Sequence, residues 1–200
     1  MMTDPKINSI LDEGNRLFLQ RNFEQAIEYY DKILDEDPKH ISSLNNKGYA
    51  LSKLKDFTNA IKCYDIALKI CPDDLSVLIN KISSFRKQGN LIEALLICDN
   101  ILKNNKNYNI ALYHKERILF SMGKFNESIS CCNSILEDYP DNGDVLFDKA
   151  SNSAMLSNFD DALNLLEHAI SQGIQYKIKA KKSKSFENLF DNIRFQNLIS

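Results

Sequence analysis

Apolar positions along this chain fall into two helical stripes that alternate and then return every 34 residues. In the first stretch Ile10, Leu11, Gly14, Leu17 and Phe18 keep the i, i+3, i+4, i+7 spacing of an amphipathic helix. Gln20-Arg21-Asn22 interrupts the stripe as a polar turn. A second stripe starts near Phe23 and carries Ala26, Ile27, Tyr30, Ile33 and Leu34, and Pro38 ends it because proline cannot extend the hydrogen-bond ladder. Thr3 or Asp4 is placed to cap the first helix, with Pro5 in its first turn, where a missing N–H costs nothing. The unit predicted is a pair of antiparallel helices.

The pair repeats. Shifting the sequence by one period superposes Ala26 on Ala60, Ala94, Ser128 and Ala162, Tyr30 on Tyr64, and Pro38 on Pro72. The turn position falls on Gly89 and Gly123, which tolerate positive φ. Periods of this size mean stacked units, none of which buries its apolar face alone. The boundaries read as a lead-in at 1–6, repeats at 7–40, 41–74, 75–108, 109–142 and 143–176, and a closing segment at 177–200. Gly14, Gly48 and the alanine column let helix axes approach closely. Ile10, Leu44, Leu78, Leu112 and Leu146 form one large column, and Phe23, Phe57, Leu91, Phe125 and Phe159 another; a third runs through Leu34, Leu68, Leu102, Leu136 and Ile170. Later repeats drift: Ile82 and Glu116 replace the small residue, Cys98 and Cys132 the aromatic one, and Lys106 and Ile174 the proline. This drift predicts looser pairing in the third and fourth repeats.

Residues 177–200 break the period. Lys177, Lys179, Lys181, Lys182 and Lys184 form a basic run, read as the solvated face of a cap. Phe186, Leu189, Phe190 and Ile193 fit one helical face, and Phe195, Leu198 and Ile199 form a further apolar cluster.

Composition narrows the function classes. With 44% hydrophobic residues over 200 positions, a sizeable core is available, and six Gly and four Pro suit a helical chain. A formal net charge of −2 argues against a nucleic-acid binder. Nothing approaches the roughly 20 consecutive apolar residues of a membrane span, and the first residues lack the pattern of a signal peptide. Five cysteines, an odd number without a CxxC motif, read as free thiols in a reducing compartment, with Cys132 in the core and Cys131 half-buried. The chain is expected to be cytoplasmic.

The order small, large, Ala, Tyr, Pro at this period resembles the tetratricopeptide repeat, best in the first two units through Gly14, Leu17, Ala26, Tyr30, Pro38 and Gly48, Leu51, Ala60, Tyr64, Ala67, Pro72. No repeat carries the family's Trp. The resemblance implies an all-α, right-handed α-solenoid of antiparallel helix pairs: five repeats plus C-terminal capping helices. It also implies a concave groove lined by the second, fifth, sixth, ninth, twelfth and thirteenth positions of each repeat. The sixth positions are Asp12, Asn46, Asn80, His114 and Asp148; the ninth are Asn15, Tyr49, Ser83, Arg117 and Ser151.

Asn is a poor helix former, so Asn46 and Asn80 in mid-helix suggest a use for their amides, such as pairing with the backbone of an extended peptide. The candidate contacts are Asn15, Asn46, Tyr49 and Asn80, with Lys53 and Lys87 steering acidic residues of the ligand. Co-chaperones of this family hold a C-terminal carboxylate with two Asn and several basic residues. Asn15 and Asn46 match those positions, but Leu11, Ser76 and Asn80 stand where cations are required, so that ligand is not expected. His40, His114 and His168 occupy unrelated columns, no phosphate loop or nucleophile elbow occurs, and the carboxylates read as solvated surface charge. No catalytic residue, cofactor or metal is expected. The reading is a non-catalytic scaffold that binds an extended peptide or a partner helix, acting as a monomer or weak homodimer without nucleic acid or membrane insertion. The alternatives are a structural self-assembly module and, more remotely, an enzyme or metal-binding protein.

Overall fold

The structure, a computed structural model, describes residues 5–200. The proposed caps Thr3 and Asp4 lie outside the described residues. Ten helices follow in antiparallel pairs: α1 (Pro5–Leu19) with α2 (Phe23–Glu36), α3 (Ile41–Lys53) with α4 (Phe57–Ile70), α5 (Leu75–Gln88) with α6 (Leu91–Asn104), α7 (Asn109–Ser121) with α8 (Phe125–Asp138), and α9 (Gly143–Met155) with α10 (Phe159–Gln172). Then come α11 (Gln175–Lys182), a 3₁₀ turn over Lys184–Leu189, and α12 (Ile193–Ile199). No strand occurs among the described residues. The helices gather into two compact units, one ending at Ile97 and one beginning at Cys98.

Local chemistry explains where the helices stop. Arg21, Lys55, Gly89, Gly123 and Ser157 occupy the same turn position in successive repeats, and all five have φ between 62° and 91°. Glycine takes this left-handed conformation without a Cβ clash, whereas Arg21, Lys55 and Ser157 hold it against a cost of about 1–2 kcal/mol each. At the other end, α2 closes at Glu36 with Asp37 at φ −132°, and α4 at Ile70 with Cys71 at φ −131°. Each of those residues precedes a proline, whose ring disfavours helical backbone in its neighbour. Asp56, Asp74 and Asn142 accept the first backbone N–H groups of α4, α5 and α9, satisfying donors that a helix start leaves open.

In the unit ending at Ile97, the glycines do more than permit close approach. A Cβ on Gly14 would stand 2.8 Å from the Tyr30 ring, and one on Gly48 would stand 2.6 Å from that of Tyr64. Each ring therefore fills the space its glycine leaves empty, and both tyrosines are buried. Ion pairs set the register between successive repeats: Lys47 meets Asp31, and one period on Lys81 meets Asp65 at 2.6 Å.

In the unit beginning at Cys98 the same rung recurs as Lys115 with Asp99 at 2.7 Å. The hairpin interior differs. Glu116 stands at the glycine position and Cys132 at the tyrosine position, and both are buried, as is Ser128. The Ser128 hydroxyl lies 3.0 Å from Glu116 Oε1, and Asn152 Nδ2 donates to the same oxygen at 3.3 Å. In the fourth repeat a larger helix-A residue meets a smaller helix-B residue. Glu116 corrects the expectation that the carboxylates are surface charge: it is 2% exposed. Burial, reinforced by the nearby Asp148 carboxylate, pushes its pKa up to about 7. Its Oε2 and the Asn152 Oδ1 are buried without hydrogen-bond partners among the described residues, and a protonated Glu116 carries a donor as well as an acceptor. Cys131, read from the sequence as half-buried, is buried.

The chain end packs on α9 and α10. Tyr176 and Phe186 contact Phe147, Phe186 contacts Phe195, and Leu189 joins the same cluster. The expected single helical face from Phe186 to Ile193 is not formed. Phe186 and Leu189 are buried in the 3₁₀ turn, while Phe190 and Ile193 are exposed on either side of the break that Asn192 caps. Of the basic run, Lys179 pairs with Asp144 at 2.7 Å and Lys177 reaches the Ser200 carbonyl at 3.1 Å. Lys181, Lys182 and Lys184 are exposed.

Candidate functional site

The first helices of the first two repeats bring four of the six candidate residues together. Asn15 on α1 and Asn46 on α3 meet side by side, with Asn46 Nδ2 donating to Asn15 Oδ1 at 2.8 Å. The same oxygen accepts the Tyr30 hydroxyl at 3.0 Å. Burial pushes Tyr30 up to about 12, so its hydroxyl stays a donor throughout the physiological range. One carbonyl oxygen thus accepts two hydrogen bonds, while Asn15 Nδ2 and Asn46 Oδ1 remain uncommitted. That leaves one donor and one acceptor, the complement of a peptide unit.

These amides border a cleft of about 270 Å³ lined by Asn15, Phe18, Leu19, Tyr30, Asn46 and Tyr49. Tyr49 stacks on Phe18 with centroids 5.1 Å apart, and the Lys53 ammonium lies 4.8 Å from the Tyr49 centroid. Lys53 is therefore held over an aromatic face, in a contact worth about 0.5–1 kcal/mol at an exposed site. Leu19, 81% exposed, stands at the rim.

Asn80 does not join this cluster. It pairs with Asn45, donating through Nδ2 to Asn45 Oδ1 at 2.9 Å. The arrangement repeats the first rung one helix further on: a later helix donates to an earlier one, leaving an amide N–H₂ and an amide carbonyl open. Lys87 is exposed in the last turn of α5. Phe18, Leu19 and Tyr30 were not read from the sequence as site residues. Phe18 and Leu19 occupy the twelfth and thirteenth positions of their repeat, so the column rule was sufficient to find them. Nothing in the pattern shows that the Tyr30 hydroxyl orients Asn15.

Further along the chain three of the groove columns are closed on α9. On α9, Phe147, Ser151 and Ala154 occupy the fifth, ninth and twelfth positions and are all buried, Phe147 against Tyr176 and Phe186. Asp148 is also largely covered, and Arg117 Nε reaches its Oδ2 at 3.4 Å. The histidines have structural partners. His40 caps α3 through Ser43, His168 bonds Asp141 at 2.8 Å, and His114 lies edge-on to Tyr113. Burial raises the thiols of Cys63, Cys98, Cys131 and Cys132, so these are poor nucleophiles. Among the described residues no group of His, Cys, Asp and Glu is placed to hold a metal ion, and no helix is long and apolar enough to cross a membrane.

Residues 17–40 and 41–74 match the tetratricopeptide repeat family. Solved structures share the fold across nearly the whole chain. YrrB, described as a TPR protein with an unusual peptide-binding site, is 20% identical, with a TM-score of 0.69 over 87% of this chain and 91% of that one. MamA is 17% identical, with a TM-score of 0.72 over 88% and 96%. A tetratricopeptide repeat protein from Parabacteroides merdae ATCC 43184 is 16% identical, with a TM-score of 0.83 over 98% of this chain and 78% of that one. No curated protein matches in sequence. With its stacked helix pairs the chain has the α-solenoid fold of tetratricopeptide repeat proteins, and residues 17–74 match that family's repeat; proteins of this class bind protein or peptide partners.

Proposed function

We propose that the chain is a non-catalytic scaffold that holds an extended peptide along α1, α3 and α5. The observation that carries this reading is the pair of amide rungs, Asn46 to Asn15 and Asn80 to Asn45, each ending in an open donor and an open acceptor. Such a ladder suits an extended strand, whose N–H and C=O groups are free, and not a partner helix, whose backbone groups are already paired with one another. The cleft beside the first rung would seat an apolar side chain of the ligand against Phe18, Leu19 and Tyr49, and its burial would add about 1.5–3 kcal/mol. Lys53 and Lys87 would favour acidic flanking residues. The peptide-binding description of YrrB points the same way. We place this work in the cytoplasm, where five unpaired cysteines are at ease.

The test is a peptide selected from a random displayed library on the intact protein, titrated by calorimetry. Asn46→Ala combined with Asn80→Ala should weaken binding by about tenfold or more, at roughly 1 kcal/mol for each hydrogen bond lost, in a protein that stays folded. Unchanged affinity would remove the reading. A second reading, self-association, is favoured by Ile92 and Leu96, which are exposed one turn apart on α6. Light scattering across a hundredfold concentration range decides it, and a constant monomer mass excludes it.

A further inference from the structure

We propose that the unit beginning at Cys98 carries a second binding site, independent of the amide rungs, which takes a single basic side chain, lysine or arginine, from an unstructured peptide. A cleft of about 280 Å³ opens where the start of α7, the end of α8 and the start of α9 converge, with walls that include Ile110, Tyr113, Ile135 and Tyr139. Ile110 and Tyr139 are exposed, Tyr139 by 55%. Tyr139 and Asn142 also line an adjoining cleft bordered by Asp138 and Asp141. Tyr139 is therefore common to an apolar slot and an acidic rim. None of the side chains lining either cleft is basic.

The chemistry of these walls selects the occupant. An aliphatic stem would lie against Ile110 and Ile135. Its head would meet carboxylates and an aromatic face. Arg117 already covers one face of Tyr113, at 4.8 Å from the centroid, so the open aromatic face is that of Tyr139. Asp141 is bonded to His168, whereas Asp138 is exposed and makes no ion pair among the described residues. Long aliphatic stems with cationic, hydrogen-donating heads belong to lysine and arginine. An acidic side chain would meet like charge, and a purely apolar one would leave the Asp138 carboxylate and Tyr139 face unused.

The experiment is a nuclear magnetic resonance titration of the full chain with three probes: the Nα-acetyl methylamides of lysine, arginine and norleucine. The lysine and arginine probes are expected to shift the resonances of Asn109, Tyr113 and Tyr139 at millimolar concentration, with norleucine at least threefold weaker. Tyr139→Ala should weaken the two basic probes about threefold or more, in line with an exposed cation–π contact. Asp138→Asn, which keeps the shape, should weaken them by roughly twofold to threefold, and 0.5 M salt should do the same to the native protein. The Asn46→Ala, Asn80→Ala protein should bind the probes as the native one does, which separates this site from the amide groove. Equal binding of norleucine, or absence of shifts at Asn109, Tyr113 and Tyr139, would overturn the proposal.

Discussion

The hairpins α1–α2 and α3–α4 share a backbone plan with α7–α8 but fill it in opposite ways. In the first two, glycine on the first helix leaves a void, and a tyrosine from the second helix occupies it. In α7–α8 the first helix supplies the bulk as Glu116, and the second recedes to Cys132. What is conserved across the crossing is volume, as close packing requires, and either helix can provide it. The chemical consequence is larger than the steric one. The Tyr30 ring delivers its hydroxyl to Asn15 and so orients a groove amide. The glutamate instead places an ionisable group in the interior, where its charge is costly.

Breaking one half of the exchange should have the largest effect. Tyr64→Cys imports the residue of the fourth repeat without its partner and should destabilise by roughly 3–5 kcal/mol, as large-to-small core changes do. Urea denaturation reads this directly, and an unchanged midpoint would mean that the ring does not support the hairpin.

The glutamate supplies the next effect. Its folded-state pKa of about 7 lies above the ordinary 4.5, so the folded chain keeps a proton that the unfolded chain releases. The stabilisation is complete below about pH 4.5, declines as pH rises, and is gone above about pH 7. Between pH 5 and 8 the native protein should lose on the order of 2–3 kcal/mol, with Asp148, also raised by burial, acting in the same direction. Glu116→Gln should flatten that slope and be the more stable protein at pH 8. Thermal melts of both proteins across this range provide the check.

Gly48→Ala should cost roughly 1–3 kcal/mol, since the new methyl would press on the Tyr64 ring. The smallest effect is a gain: Lys55→Gly at φ 66° should stabilise by about 0.5–1 kcal/mol by relieving left-handed strain. Gly89→Ala at the equivalent turn should lose a similar amount.

The helix pairs were legible because each column repeats a physical requirement, so the alanine at the crossing, the proline after each of three second helices and the turn at Arg21 recur at fixed spacing. The Gly–Tyr reciprocity was half visible. The substitutions at Glu116 and Cys132 could be seen, but only packing shows that they compensate each other. The tail was misread at Ile193 because an apolar periodicity of four residues fits a helix as well as it fits a 3₁₀ turn followed by a break. At the site, sequence columns placed Asn15, Asn46 and Tyr49 on one surface. They could not show that Asn46 donates to Asn15, or that Asn80 turns instead to Asn45, since amide pairing depends on side-chain orientation. The Lys47–Asp31 and Lys81–Asp65 rungs escaped notice because their partners lie 16 residues apart, a separation with no meaning within one helix.

The central claim is that uncommitted side-chain amides recognise the backbone of an extended ligand. An N-methyl scan of the selected peptide tests it most directly, because each methyl removes one backbone N–H and leaves the side chains in place. The account predicts one or two positions at which methylation weakens binding about tenfold, with that loss absent in the Asn46→Ala, Asn80→Ala protein. A peptide whose affinity is indifferent to methylation at every position would contradict it.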